Sequence, residues 1–175
     1  GNDDGDGPHE WFVMGGDDMY VDVPNLQLLL QRRDVQVLQG RGAPIFLGRA
    51  VREGFHFIYN NGGAGYVLNR RALALLVDEI ASGHCFRDTQ VNVEDMLIGL
   101  CLQRRGVVPL DTADGRRRER FHWHRPGSEH SGRGRLYQQM SVQARSGDDC
   151  CSPESVSFHY LSPEAMYCID TFLQT

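Results

Sequence analysis

Apolar and polar positions alternate between two rhythms along this chain. Trp11-Phe12-Val13-Met14 is an unbroken apolar run that stops at Gly15-Gly16-Asp17-Asp18, which predicts a buried strand ending in a tight turn. Tyr20 to Val23 reads as extended. Pro24 suits the first turn of a helix running to Arg33, with Leu26, Leu29 and Leu30 on one face. After a loop at Gly40-Arg41-Gly42, residues 44–48 predict a second buried strand. Phe55, Phe57 and Tyr59, alternating with His56, Ile58 and Asn60, predict a third. Beyond the glycine cluster at 62–65, Asn69 is placed to cap a helix over 70–82, with Leu73, Leu76, Val77 and Ile80 as its apolar stripe and Gly83 as its stop. Asn92 is placed to cap a further helix from 93 to about 105, closed by Gly106. Residues 107–110 predict a last short strand, residues 156–160 a late extended segment, and residues 163–172 a terminal helix. Strands alternate with helices, so the class is α/β. No internal repeat is visible. Residues 1–10 read as an acidic loop or cut end, and residues 11–175 as part of one domain.

Composition narrows this picture. With 175 residues, 41% hydrophobic and 23% charged, the chain is globular rather than disordered or fibrous. No apolar run approaches the roughly 20 residues that cross a bilayer. The opening GNDDGDGPHE is acidic where a signal peptide would be basic and then apolar. All 18 basic residues are Arg, which a coding bias explains more simply than any function. Nine Arg fall between Gln103 and Arg135 against four acidic residues. Such a stretch serves either a phosphate-bearing ligand or a solvated loop. A net charge of −5, without aromatics interleaved in the Arg run, argues against nucleic acid as a partner. The five cysteines (Cys85, Cys101, Cys150, Cys151 and Cys168) contain no C-x-x-C pair, so neither a zinc knuckle nor a dithiol redox site is suggested. Disulfides in an oxidising compartment and buried thiols in a reducing one both remain open.

Four groups of residues have chemical potential. Asp17 and Asp18 lie in a turn after a buried strand, where carboxylates suit a hard divalent cation, although such turns are common without metal. Glu94 and Asp95 fall in the first turn of a helix. They are at home there by charge alone, and a carboxylate there can also serve as a general base. His122, His124 and His159 lie late in the chain beside aromatic residues. A single His is more often structural, yet one returning to a carboxylate-bound metal would be ordinary coordination chemistry. Gly62-Gly63-Ala64-Gly65 lacks the spacing of a nucleotide-binding glycine motif and offers close approach to the main chain instead.

The order of these groups is more specific than any one of them. Trp11–Val21 resembles the W-F-x-x-x-D-D-D-x-Y-V segment of family 31 glycosyltransferases, the fringe-like enzymes, and Asn25-Leu26-Gln27-Leu28-Leu29 resembles the helix that follows it there. Gly62-Gly63-Ala64-Gly65-Tyr66-Val67-Leu68 is similar to the family's G-G-A-G-Y-V-L segment, and Val93-Glu94-Asp95-Met96-Leu97-Ile98-Gly99 to its E-D-x-x-x-G helix. Phe121-His122, Cys150-Cys151-Ser152 and Val156-Ser157-Phe158-His159-Tyr160 resemble the core 1 β1,3-galactosyltransferase branch.

The resemblance implies the carboxy-terminal portion of a GT-A domain, with the amino-terminal half missing. It implies inverting transfer of a hexose, with galactose foremost, from a UDP-sugar in β1,3 linkage to a glycoprotein or glycan acceptor such as O-linked GalNAc, assisted by Mn2+. Asp95 falls on the family's general base. Asp18 and His159 fall on its metal ligands, with His122 a weaker metal candidate. Asp17, Gly63 and Ala64 fall at the donor, and Glu94 and Tyr66 at the acceptor. Cys85 and Cys101 correspond to a family disulfide, with Cys150 or Cys151 then available to Cys168. Residence in the Golgi lumen follows, as part of a type II membrane protein whose anchor would lie upstream, and a homodimer is compatible with the family. The chain departs from the pattern at Gly16, where the family has Asp. It also departs at Arg135-Leu136-Tyr137-Gln138-Gln139-Met140, where the family is rich in aromatics and Asn. The first departure raises the alternative of an inactive, chaperone-like or binding relative. The absent half implies that the chain alone has little or no activity.

Overall fold

A computed structural model describes residues 9–54, 57–85, 91–128, 139–143 and 145–173. Phe55, His56 and residues 135–138, which the sequence reading also used, lie outside these. The centre is a three-stranded antiparallel sheet of β1 (Trp11–Met14), β6 (Tyr66–Asn69) and β3 (Phe46–Gly48), in the order β1-β6-β3. Trp11 pairs with Asn69 and Met14 with Tyr66, while Phe46 pairs with Leu68. A hairpin of β4 (Ala50–Glu53) and β5 (Phe57–Asn60) and a pair formed by β2 (Tyr20–Val21) and β7 (Ser157–Phe158) complete the strands.

Every residue of β3 and β6 is buried, which requires cover on both faces. The two-residue period of a strand sorts the side chains. Phe46, Tyr66 and Leu68 join Ala72, Leu75 and Leu76 of α3 (Arg70–Ala81) and Leu102 of α4 (Glu94–Arg104). Leu47 and Val67 join Leu26 and Leu29 of α1 (Val23–Leu30) and Val35 of α2 (Arg33–Gly40). The result is a sheet between two helical layers, a mixed α/β arrangement as read from the sequence. The terminal helix is α5 (Pro163–Leu173).

Several elements differ from expectation. Asp22 caps α1, its carboxylate accepting from Asn25 N at 2.8 Å, with Pro24 in the first turn as read. The helix stops at Leu30 rather than Arg33, and α2 occupies residues 33–40, for most of which the sequence pattern predicts no element. The apolar stripe of α3 is rotated: Ala72, Leu75, Leu76 and Glu79 are buried, whereas Val77 and Ile80 face solvent. Val93, not Asn92, stands at the cap position of α4. The strand expected over 107–110 reduces to one parallel bridge, Leu47 to Leu110, because Pro109 cannot donate to a ladder.

Cys85 and Cys101 form a buried disulfide between the end of α3 and α4, and a loop of this size contributes roughly 3 kcal/mol by restricting the unfolded chain. Cys150 pairs with its neighbour Cys151, so neither reaches Cys168, which is an exposed unpaired thiol on α5. The expected link to Cys168 is thereby corrected. In the described part of the Arg run, Arg116 and Arg117 are exposed, Arg120 is buried, and nearby carboxylates offset the charge. Arg117 pairs with Asp111 at 2.9 Å, Arg118 with Asp114 at 2.8 Å and Arg120 with Glu154 at 2.5 Å. Among the described residues no helix is long and apolar enough to cross a membrane.

Candidate active site

One cleft of about 480 Å³ gathers the sequence-predicted groups. Its lining comes from four separate stretches: the turn after β1, through Gly15 and Gly16; the turn before β6, through Gly62, Gly63 and Tyr66; the start of α4, through Val93, Glu94 and Asp95; and His159, just after β7.

The turn at 15–18 places Asp18 against His159, which lines the cleft, although Asp18 itself does not line it. Its Oδ1 lies 3.2 Å from Nε2 of His159. The other ring nitrogen, Nδ1, lies 3.1 Å from the carbonyl of Trp123. A carbonyl only accepts, so Nδ1 carries the proton in that bond, and a neutral imidazole then turns its Nε2 lone pair toward the carboxylate. Two acceptors aimed at each other call for a proton or a cation between them. Among the described residues no group of three or more His, Cys, Asp or Glu comes together to hold a metal, so the protein offers a pair of donors rather than a closed cage.

The glycine turn is shaped by what presses on it. A Cβ on Gly63 would sit 2.3 Å from Cε1 of His159, and one on Gly62 would sit 3.1 Å from Cβ of Asp95. The close approach expected for a ligand is thus made by the chain's own side chains. Gly63→Ala is expected to displace the imidazole from Asp18 while leaving the fold intact. A shift of the His159 ring resonances in the NMR spectrum, with an unchanged melting temperature, checks it.

At the mouth of α4, Asp95 is buried. Its Oδ2 accepts from Gly62 N and its Oδ1 from Met96 N, both at 2.7 Å. Each carboxylate oxygen has two lone-pair directions, so both keep one for a further proton. Beside it, Glu94 Oε1 accepts from the Tyr66 hydroxyl at 2.5 Å. Burial, followed by the hydrogen bond to Glu94, pushes the Tyr66 hydroxyl far above the ordinary tyrosine range, so it remains a donor throughout physiological pH. Tyr59, on β5, is pushed up to about 12 by burial and then by the charge of Asp95.

Not every predicted residue lies at the cleft. Asp17 is exposed on the same turn and does not line it. Ala64 is fully buried, its N–H donating to Asn61 Oδ1 at 2.9 Å and its carbonyl accepting from Ser157 Oγ at 2.5 Å. It supports the glycine turn from behind. His122 is also buried and away from the cleft. Ser155 Oγ donates to Ser152 O at 2.6 Å, so His122 Nε2, 2.8 Å away, donates to Ser155, and its ring stacks on Phe158. That nitrogen donates within the fold, and His122 does not line the cleft that His159 lines. The sequence reading missed Asn61, whose side chain closes the turn over Ala64. An Asn immediately before a Gly-Gly pair is the local signal for such a turn. The Trp123 carbonyl had no signal, being main chain.

The residues meeting here are the ones whose order resembled a known family. A family model described as Fringe-like matches residues 4–143. The chain belongs to the Fringe-like family. A glycoprotein-N-acetylgalactosamine 3-beta-galactosyltransferase 1 of Xenopus laevis is 36% identical over 172 residues, covering 94% of this chain and 45% of that protein. An N-acetyllactosaminide beta-1,3-N-acetylglucosaminyltransferase 4 of Homo sapiens is 27% identical over 120 residues, covering 61% of this chain and 30% of that protein. This Fringe-like chain therefore spans less than half the length of these curated relatives.

Proposed function

We propose that the chain is the carboxy-terminal part of a GT-A catalytic domain. In this reading it moves a hexose, galactose being the first candidate, from a UDP-sugar in β1,3 linkage to a glycoprotein acceptor such as O-linked GalNAc, with inversion. The observation that carries this reading is the convergence of His159, Glu94 and Asp95 on one cleft, with Asp18 held against His159, so that three distant stretches of chain meet there. The similarity to a β1,3-galactosyltransferase over 94% of the chain supports the choice of donor and acceptor.

Asp95 acts as the general base. Its carboxylate is held by the Gly62 and Met96 N–H groups, and its remaining lone pairs take the proton of the acceptor hydroxyl as that oxygen attacks the anomeric carbon. Attack opposite the departing diphosphate inverts the anomeric centre. Glu94, fixed by Tyr66, orients the acceptor hydroxyls beside it. Asp18 and His159 fit Mn2+, since a carboxylate oxygen and an imidazole nitrogen both suit that ion, and such ions leave further positions to phosphate oxygens and water. When bound, Mn2+ supplies charge that offsets the negative charge building on the leaving UDP. Disulfides at Cys85–Cys101 and Cys150–Cys151 suit an oxidising lumen such as the Golgi, with any membrane anchor lying upstream. A homodimer is compatible with this reading.

Gly16, where the family carries a carboxylate, favours a second reading as an inactive relative that keeps the fold. Calorimetry with UDP and Mn2+ on an amino-terminally extended protein separates the two. Under the transferase reading, binding is metal-dependent and one UDP-sugar is turned over. Asp18→Ala then weakens metal affinity by more than the roughly 10–100-fold that loss of an outer-sphere partner brings. A well-folded protein that binds neither UDP nor metal leaves the inactive relative. Residues 1–175 alone are expected to turn over little or no donor.

A further inference from the structure

The segment that carries His159 is held on one side by β2, through the β2–β7 pair and the Leu161 N–H, which donates to Asp18 O at 3.0 Å. On the other side it is held by an irregular parallel ladder. Glu119 N donates to Cys150 O at 3.2 Å and Ser152 N to Glu119 O at 2.8 Å. Further along, Val156 N donates to Arg120 O at 2.6 Å, His122 N to Ser157 O at 3.0 Å and His159 N to His124 O at 3.4 Å. One end of the ladder is the turn containing Cys150 and Cys151. The other is the imidazole beside Asp18. Between them the turn at 152–155 is tied down through the Ser155 hydroxyl to His122, whose ring stacks on Phe158, the residue preceding His159.

A disulfide ordinarily stabilises by closing a loop in the unfolded chain, and a bond between adjacent residues closes none. The Cys150–Cys151 bond restricts instead the single peptide it spans, at the point where the ladder begins. Cys150 is buried and Cys151 is half-buried, whereas Cys85 and Cys101 are both fully buried, so Cys151 is the most exposed of the four bonded cysteine residues.

We propose that the Cys150–Cys151 disulfide is a redox-sensitive clamp on this ladder, which a dithiol opens to release His159 from its place beside Asp18. One thiolate of the dithiol attacks Sγ of Cys151. The S–S bond breaks, a mixed disulfide forms, and Cys150 leaves as a thiolate that takes up a proton. The second thiolate of the dithiol then attacks the mixed disulfide and releases Cys151. Two electrons pass to the cysteines, and the dithiol is left as a disulfide. The released peptide no longer holds the turn at 147–155, and the ladder loosens toward His159. The proposal rests on the transferase reading only for the task His159 performs.

The test uses the intact chain, graded dithiothreitol under native conditions, alkylation mapped by mass spectrometry, and amide hydrogen exchange. Cys168 is expected to label without reductant, and Cys150 and Cys151 to label at lower dithiothreitol than Cys85 and Cys101. Exchange across residues 156–161 is expected to rise about tenfold on reduction while exchange across α3 stays unchanged. A Cys150→Ser, Cys151→Ser variant is expected to show the faster exchange without reductant and no further response to it. Should that variant fail to fold, the titration of the unaltered chain decides alone. Equal exchange across 156–161 in both redox states overturns the proposal. So does labelling of Cys150 and Cys151 without reductant, or opening of Cys85–Cys101 first. None of these readouts involves a sugar donor or a metal, so the outcome stands apart from the fate of the transferase reading.

Discussion

Replacing Asp95 by Asn in an amino-terminally extended protein is expected to lower sugar transfer by about a thousandfold, within the range that general-base catalysis supplies, while UDP and Mn2+ still bind. The substitution is nearly isosteric. The amide oxygen can keep one of the two backbone N–H bonds, from Gly62 or from Met96, that hold the carboxylate at the mouth of α4. What it removes is the second oxygen and, with it, the capacity to accept a proton from the acceptor hydroxyl. Donor affinity rests on other groups in this reading, so kcat falls and donor KM does not. Glu94→Gln is the companion. It retains an oxygen for the Tyr66 hydroxyl, so it is expected to raise acceptor KM with a much smaller effect on kcat. Initial rates with varied donor and acceptor check both. A transferase in which Asp95→Asn keeps most of its kcat uses another base.

The candidate site was legible in the sequence because its residues follow strong local punctuation. Asp18 comes after an apolar run and a glycine pair, the glycine turn precedes another apolar run, and Asp95 opens a helix. What the sequence left obscure depended on tertiary neighbours. Ala64 belongs to the glycine motif but turns into the core, because Asn61 and Ser157 hold its peptide from behind. His122 and His159 are both flanked by aromatics, and their different duties come from partners distant in sequence: Ser155 for one, Asp18 and the Trp123 carbonyl for the other. The stripe of α3 was read a residue off because Leu73, Leu76, Val77 and Ile80 form a valid helical face. The sheet and α4 bury Ala72, Leu75 and Glu79 with Leu76 instead, and Glu79 has a partner in Arg105 at 3.4 Å. Apolar spacing alone does not foresee a paired carboxylate in a core. The helix α2 escaped notice because its short span has few apolar positions, and only Val35 is buried. The vicinal disulfide was hidden by an assumption that cysteines pair across distance.

Asn69→Ala is expected to cost about 3 kcal/mol of folding stability, a large share of the 5–15 kcal/mol typical of a domain. The side chain is buried, at 2% exposure, and all of its hydrogen-bonding capacity that the fold uses is internal. Its Oδ1 accepts from Ile45 N and from Ala72 N, both at 2.9 Å, so the oxygen that caps α3 also fixes the approach to β3. Its Nδ2 donates to Gln39 Oε1 and to Ala43 O, both at 2.8 Å, tying α2 to the end of β6. Loss of the cap alone is worth about 1 kcal/mol. The rest comes chiefly from the buried Ile45 N–H left unpaired away from water, at roughly 1–3 kcal/mol for such a group, with a smaller share from the part-buried Ala43 carbonyl. Asn69→Asp resolves the two arms. A carboxylate keeps the acceptor for Ile45 and Ala72 but turns an oxygen toward the Ala43 carbonyl, so it preserves the cap and loses the tie to α2. Urea midpoints at constant m-value measure both variants. A cost under about 1 kcal/mol for Asn69→Ala would mean that α3 and β3 are held by apolar packing alone. The α3–α4 layer, which carries Glu94 and Asp95, would then owe its position to the Cys85–Cys101 bond and to the contacts of Tyr66 and Leu68 rather than to this one amide.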